Sequence, residues 1–183
     1  YTLSLHDALP IYREIIATVL ANDIVNMPGP SFATRVMKGT GVDAEAFVLA
    51  FAAARQLFGI KTLWDRVSAL DNLVPAAAQM ALYRDLASFV RHQTYWIARR
   101  FSQGTATLDA RLTPYADGIK DLLALGDRVL SEPVKGRIHA RVAELVALGA
   151  PEDIARPISE LTAFHHAGDI IDLAGTQMQF IQG

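Results

Sequence analysis

The sequence contains no cysteine, and this absence excludes several kinds of site before any motif is considered. Without thiols there can be no disulfide framework, no thiolate nucleophile and no thiolate metal site. A chain without disulfides fits a reducing compartment, so we expect a cytoplasmic protein.

The chain also lacks a strong excess of charge and a long apolar run. Its 183 residues carry a formal net charge of −2, so no long-range attraction draws it to nucleic acid or anionic lipid. The most apolar stretch, residues 46–54, is far shorter than the roughly 20 residues that a membrane span needs. We therefore expect neither nucleic acid nor a membrane among its partners.

No stretch alternates apolar and polar residues between turn signals, so no β-strand is predicted. Instead, apolar residues recur at three- and four-residue steps, which is the period of amphipathic helices. The predicted fold class is all-α, a multi-helix array of about eight helices around one long central helix.

That central helix is predicted from Pro75 to Phe101, the longest run without an interior glycine or proline. Pro75 suits the first helical position, where its missing N–H is not needed. One apolar stripe is predicted to face the core. It comprises Met80, Tyr83, Leu86, Val90, Ile97 and Phe101.

The same helix carries four arginines and a single acidic residue, Asp85. The arginines are Arg84, Arg91, Arg99 and Arg100. They fit either a surface for an anion or a partner or, more simply, a solvated face paired to acidic neighbours. Trp96 with Tyr95 is the best candidate for an exposed interface, and packing of Trp96 in the local core is the alternative.

Caps and turns divide the residues before the long helix into shorter helices. Ser31 is predicted to cap a helix that Gly39 ends, and Asp43 to cap the next one. Gly59 fits a left-handed helix terminus, and Thr62 with Asp65 resembles a capping box. The predicted loops are 27–30, 39–42, 59–62, 102–107 and 131–133.

The run at 102–107 is predicted to be a hinge between two helical halves, 12–101 and 108–174. In the second half, Thr113-Pro114 and Glu132-Pro133 are expected to open helices. Pro151 is expected to begin a short helical turn and Pro157 the last firm helix.

Motifs that could carry chemistry are weak. Residues Gly39 to Ala44 read G-x-G-x-x-A, but a dinucleotide-binding loop follows a strand and here a helix precedes it. The adjacent His165 and His166 point about 100° apart on a helix and cannot chelate one ion together. His92 is interpreted as a helix-surface or interface group. We predict no catalytic, cofactor-binding or metal-binding residue in this chain.

The first eleven residues, YTLSLHDALPI, differ from the rest of the sequence. They resemble a translated sequencing adaptor, so residues 1–11 are excluded from functional interpretation. The remaining residues, 12–183, are interpreted as a fragment of a helical domain that is cut at both ends.

Three segments resemble one known family. They are REIIATVLANDIVN at 13–26, the alanine-rich helix at 47–58 and LDNLVPAAAQ at 70–79. From residue 12 to about 174 the chain is similar to the C-terminal helical region of the large bacterial NAD-dependent glutamate dehydrogenases. The resemblance implies a non-catalytic part of an oxidoreductase of glutamate catabolism.

The resemblance also implies what lies outside the chain. The parent enzyme would convert L-glutamate into 2-oxoglutarate and ammonia, with NAD bound before this region. The expected partners are the catalytic region of the parent chain and further copies in a homo-oligomer. The alternative is a free-standing helical module that binds a partner helix or regulates another protein.

Overall fold

The computed structural model describes residues 17–103 and 130–165, and every regular element in these two ranges is helical. α1 is described over residues 17–26. It is followed by α2 (Pro30–Thr40), α3 (Ala44–Leu57), α4 (Ile60–Ser68), α5 (Ala76–Ser102), α6 (Glu132–Ala147) and α7 (Glu152–Leu161), with a final 3-10 turn at Thr162–Phe164. The predicted all-α class is confirmed.

α5 is the long central helix that the sequence predicted, with bounds shifted by one residue. Its 27 residues give a length of roughly 40 Å. Pro75 is the N-cap rather than the first helical residue. Helices α2, α3, α4, α6 and α7 all contact α5, so it forms the centre of the described core.

The predicted apolar stripe of α5 is partly wrong. Leu86, Val90, Ile97 and Phe101 are buried, but Met80 is 58% exposed. Residues two apart on a helix differ by about 200° in direction, so Met80 points away from the fully buried Leu82. Because several helices surround α5, its buried side is broader than a single stripe.

Tyr83, another predicted member of that stripe, is partly buried and lies at the edge of the core. Its ring packs on Trp64 of α4 at a centroid distance of 4.5 Å, and its hydroxyl lies 2.8 Å from Ser68 Oγ. This tyrosine therefore joins α5 to α4 and keeps its polar end at the surface.

Trp96 belongs to the core and not to an exposed interface. Its side chain is only 8% exposed, and the guanidinium of Arg100 lies 5.3 Å from its ring centroid. Tyr95 next to it is 42% exposed. The expected exposed pair is thus corrected to Tyr95 alone.

Several helix ends differ from the sequence prediction. α2 begins after Gly29 with Pro30 in its first turn, so Ser31 is not the cap. It continues through Gly39 to Thr40, and Gly41, whose φ is 76°, caps its end. Thr62 lies inside α4, where Asp65 pairs with Lys61, so no capping box forms.

Two other predicted ends are confirmed. The Asp43 carboxylate caps α3 by accepting a hydrogen bond from the Ala46 N–H at 2.8 Å. Gly59 has a φ of 63° and separates α3 from α4. The observed connections near residues 27–30, 39–42, 59–62 and 131–133 lie within about three residues of the predicted loops.

Pro157 lies inside α7 and does not start a helix as predicted. A proline in a helix leaves the carbonyl four residues earlier without its donor, here the carbonyl of Asp153. Arg66 of α4 supplies a replacement, since its Nη2 lies 3.1 Å from this carbonyl and 2.7 Å from the Asp153 carboxylate. A hydrogen-bond donor of α4 therefore replaces the N–H that Pro157 lacks.

Residues from both sides of the undescribed segment share one core. Leu145, Ile154 and Ile158 are buried in the same cluster as Leu86 and Phe51. No single helix among the described residues is long and apolar enough to cross a bilayer; α3 and α4 reach that length and composition only together, across a 74° bend. The predicted helix at Thr113-Pro114 and the segment 1–11 lie outside the described residues, as does most of the 102–107 hinge.

Candidate functional site

The glycine-containing sequence from Gly39 to Ala44 connects two helices. α2 runs through Gly39, and only residues 41–43 separate it from α3. A dinucleotide-binding loop needs a strand before it and a phosphate-facing helix after it. This segment instead serves as a short turn, with the positive φ of Gly41 closing α2.

Two of the histidines singled out from the sequence, His92 and His165, lie at the end of the last helical turn. The rings of His92 and His165 have centroids 5.0 Å apart, and Phe89 lies 5.4 Å from His165. The buried Gln93 amide donates to the carbonyls of Phe164 at 3.0 Å and His165 at 3.2 Å. These contacts attach residues Phe164 and His165 to α5. His166 lies outside the described residues.

A shallow groove lies between α6 and α7. Two cavities of about 130 and 290 Å³ share His139 and Arg156 in their walls. Their other lining residues are Lys135, Ile138, Val142, Ala143, Val146, Glu152 and Glu160. Because Lys135 pairs with Glu132 and Arg156 pairs with Glu152, most of the charge in this groove is already compensated.

The acidic residue of α5 is also engaged. Arg141 of α6 donates two hydrogen bonds to the Asp85 carboxylate, at 2.8 and 2.9 Å, and a third to Glu144. The hydrogen bonds that Arg141 donates to Asp85 raise the pKa of Arg141 despite partial burial. Asp85 therefore holds α6 to α5 and is not available to the arginines of its own helix.

Those arginines belong to a larger positive surface, which we call the basic face. It consists of exposed residues of α2 and α5: Arg35, Lys38, Arg84, Arg91, Tyr95 and Arg99. Arg35, Lys38, Arg84 and Arg99 form no ion pair with any residue that the structure describes, so pairing within the described residues does not neutralise these four charges. The face can attract an anion or an acidic surface, but it brings together no nucleophile and base.

Among residues 17–103 and 130–165 there is likewise no group of three or more metal-ligating side chains. The sequence predicted the arginines of α5 but missed both the groove and the contribution of α2. Both depend on which helices lie side by side, and helical periodicity does not reveal this.

A comparison with known families decides what these helices belong to. The family described as "Glutamate dehydrogenase, C-terminal" matches residues 7–182. The chain belongs to this glutamate dehydrogenase C-terminal family. The match is wider at both ends than the 12–174 range expected from the sequence, and it begins within the first eleven residues.

Curated relatives point to the same family. The chain is 34% identical over 163 residues to the NAD-specific glutamate dehydrogenase of Halomonas elongata, and 30% identical over 148 residues to that of Pseudomonas aeruginosa. These alignments cover 88% and 80% of this chain. A Mycobacterium tuberculosis protein of the same name is 28% identical over 147 residues.

The C-terminal family is a small part of these relatives. The chain spans only 10% of the Halomonas protein and 9% of the Pseudomonas protein. No solved structure matches the chain.

Proposed function

We propose that this chain is the non-catalytic C-terminal helical part of an NAD-dependent glutamate dehydrogenase. The observation that supports this proposal most strongly is the family match over residues 7–182. The parent reaction would be oxidative deamination of L-glutamate to 2-oxoglutarate and ammonia, with hydride passing to NAD. Because the chain spans a tenth of its relatives, the substrate and cofactor sites are assigned to the remainder of the enzyme.

The task of this part is mechanical rather than chemical. A helical array with one core, centred on α5, suits a scaffold that supports the catalytic region or builds a homo-oligomer. We assign the parent enzyme to the cytoplasm, and its partners to the catalytic region and further copies of itself. The cysteine-free composition supports this setting.

Two measurements test this assignment. The isolated 183-residue chain should show no glutamate-dependent NADH formation and no saturable NADH binding. The full-length enzyme should show both, and its variant lacking this region should lose assembly or stability. Saturable NADH binding by the isolated chain that is abolished by Gly41→Asp would overturn the non-catalytic assignment.

The gene itself gives an independent test against the alternative, a free-standing helical module. A dehydrogenase reading frame continuous with codon 13 supports the proposal. A start codon near Tyr12 with no upstream dehydrogenase would instead support the free-standing module.

A further inference from the structure

The basic face defined above concentrates nearly all the uncompensated positive charge of the described residues. Helices α2 and α5 together contain six lysines and arginines and only one acidic residue. The rest of the described chain has the opposite balance, with seven basic and ten acidic residues. Positive charge is therefore segregated onto two neighbouring helices, although the whole sequence is slightly acidic.

Pairing sharpens this contrast. Most acidic residues elsewhere have a basic partner, for example Asp23 with Arg55 at 2.6 Å and Asp153 with Arg66 at 2.7 Å. The one acidic residue of α5, Asp85, is held by Arg141. Arg35, Lys38, Arg84 and Arg99 are left without any ion pair to a described residue. No described residue therefore neutralises these four charges, and an acidic group outside the described residues can do so.

The face has a defined shape as well as a charge. Arg84, Arg91, Tyr95 and Arg99 lie within about 80° of one another around α5 and extend over roughly 22 Å of its length. Met80, which is 58% exposed, continues the row toward the start of the helix. A partner would therefore meet one long strip and not a scatter of single charges.

Two of its side chains contact α2 or the turn that precedes it. The hydroxyl of Tyr95 lies so close to Gly39 that a Cβ there would approach it to 3.3 Å. The Nε of Arg91 donates to the carbonyl of Pro28 at 2.8 Å. Held side chains lose less entropy on binding, and tyrosine and arginine are the residues that contribute most energy at protein interfaces.

Resting on the proposed function, we propose that the basic face docks against an acidic surface of the remaining part of the same dehydrogenase chain. The relatives carry most of their length outside the matched tenth, so this partner is covalently tethered at high effective concentration. The positive strip supplies the charge complementarity, and Tyr95 with Met80 supplies the apolar contact.

The experiment uses the full-length enzyme with the photo-crosslinking residue p-benzoylphenylalanine at position 95. Irradiation followed by peptide mass spectrometry should give a cross-link to an acidic segment of the same chain. Arg84→Glu and Arg99→Glu should each reduce its yield at least fivefold, while Arg99→Lys retains it. Arg137→Glu is the matched control, because it makes the same charge change at an exposed position of α6, a helix that contributes no residue to the basic face.

Unchanged thermal unfolding of each variant shows that lost cross-linking is not lost folding. Absence of the cross-link, a cross-link only to nucleic acid or to another copy's basic face, or equal yields for Arg99→Glu and Arg137→Glu would overturn the proposal. Glutamate-dependent NADH formation by the unmodified enzyme is measured separately. An active dehydrogenase without the cross-link refutes docking alone, whereas an inactive protein refutes the proposed function.

Discussion

Arg66 of α4 donates a hydrogen bond to the main-chain carbonyl of Asp153, the carbonyl that Pro157 leaves without a helical donor in α7. The two residues are 87 positions apart in the sequence. The contact satisfies a carbonyl that would otherwise depend on solvent, and it attaches α7 to α4 at the same point.

This arrangement predicts energetic coupling between Arg66 and Pro157. Arg66→Ala should destabilise the chain by about 1–2 kcal/mol, because it removes hydrogen bonds to both the carbonyl and the carboxylate of Asp153. In a Pro157→Ala background the restored N–H reaches the carbonyl, so the same change should cost about 1 kcal/mol less. A double-mutant cycle by urea denaturation measures the difference, and strict additivity would contradict the compensation.

The turn between α6 and α7 predicts a second effect. Gly149 has a φ of 100°, and a Cβ there would lie 2.8 Å from Cδ of Pro75. Gly149→Ala should therefore cost more than the roughly 1–2 kcal/mol of the left-handed backbone alone. Gly41→Ala is the control, since its φ is 76° and nothing lies within 4 Å of its Cβ position. Equal losses in thermal or urea unfolding would argue against the contact with Pro75.

Two glycines inside helices should respond differently to alanine. Nothing lies within 4 Å of a Cβ at Gly136 in α6, so Gly136→Ala should stabilise by about 1 kcal/mol through helix propensity. Gly39→Ala should show no such gain, because its Cβ approaches the hydroxyl of Tyr95 to 3.3 Å. Repeating Gly39→Ala in a Tyr95→Ala background should restore the gain. A full gain with Tyr95 present would show that the ring moves away freely.

The long helix should show a large and a small effect at two positions that are about half a turn apart. Leu86 is fully buried, and Leu86→Ala should destabilise by about 2–5 kcal/mol. Ser88 is exposed on the opposite side, so Ser88→Ala should be nearly silent. Chemical denaturation that ranks the two variants the other way round would contradict the observed register.

The ion pair between Asp85 of α5 and Arg141 of α6 should stabilise the fold equally at neutral and mildly alkaline pH. Because the pKa of Arg141 is raised, the stabilisation from its charge is fully present below the usual arginine pKa. This stabilisation is lost only as the pH rises through the raised value. Arg141→Met should therefore destabilise to the same extent, about 1–2 kcal/mol, near pH 7 and near pH 9. Lys61→Met, at the exposed pair with Asp65, should change stability by less than about 0.5 kcal/mol. A loss for Arg141→Met that shrinks by pH 9 would contradict the assignment.

The sequence predicted the extent of α5 because nothing in its interior breaks a helix. It misplaced Met80 because a single amphipathic stripe assumes one buried side, and α5 is contacted by five other helices. Sequence rules predict Pro157 at a helix start, because the contact that accompanies it inside α7 comes from Arg66, far away in the chain. Local sequence patterns thus predict which segments are helical. The errors occur where contacts with residues that are distant in the sequence decide burial or helix continuation.

The candidate surface was predictable only in part. The arginines of α5 are visible in the sequence, but their lack of acidic neighbours depends on Arg141 taking Asp85 and on α2 adding Arg35 and Lys38. Trp96 shows the same limit. An aromatic residue beside an arginine fits both an exposed interface and the core, and only the surrounding helices decide between the two. Its burial beneath Arg100 resolves that choice.

The length of α5 has a mechanical consequence. Its first half is bonded to α4 through Tyr83 and to α6 through Asp85, and its second half lies against Gly39 of α2 through Tyr95. A helix of roughly 40 Å acts as a rod, so tilting it by about 3° around its midpoint moves each end by about 1 Å in opposite directions. A push on the α2 side would therefore reach α4 and α6 as a displacement of the opposite sense, without any local unfolding between them.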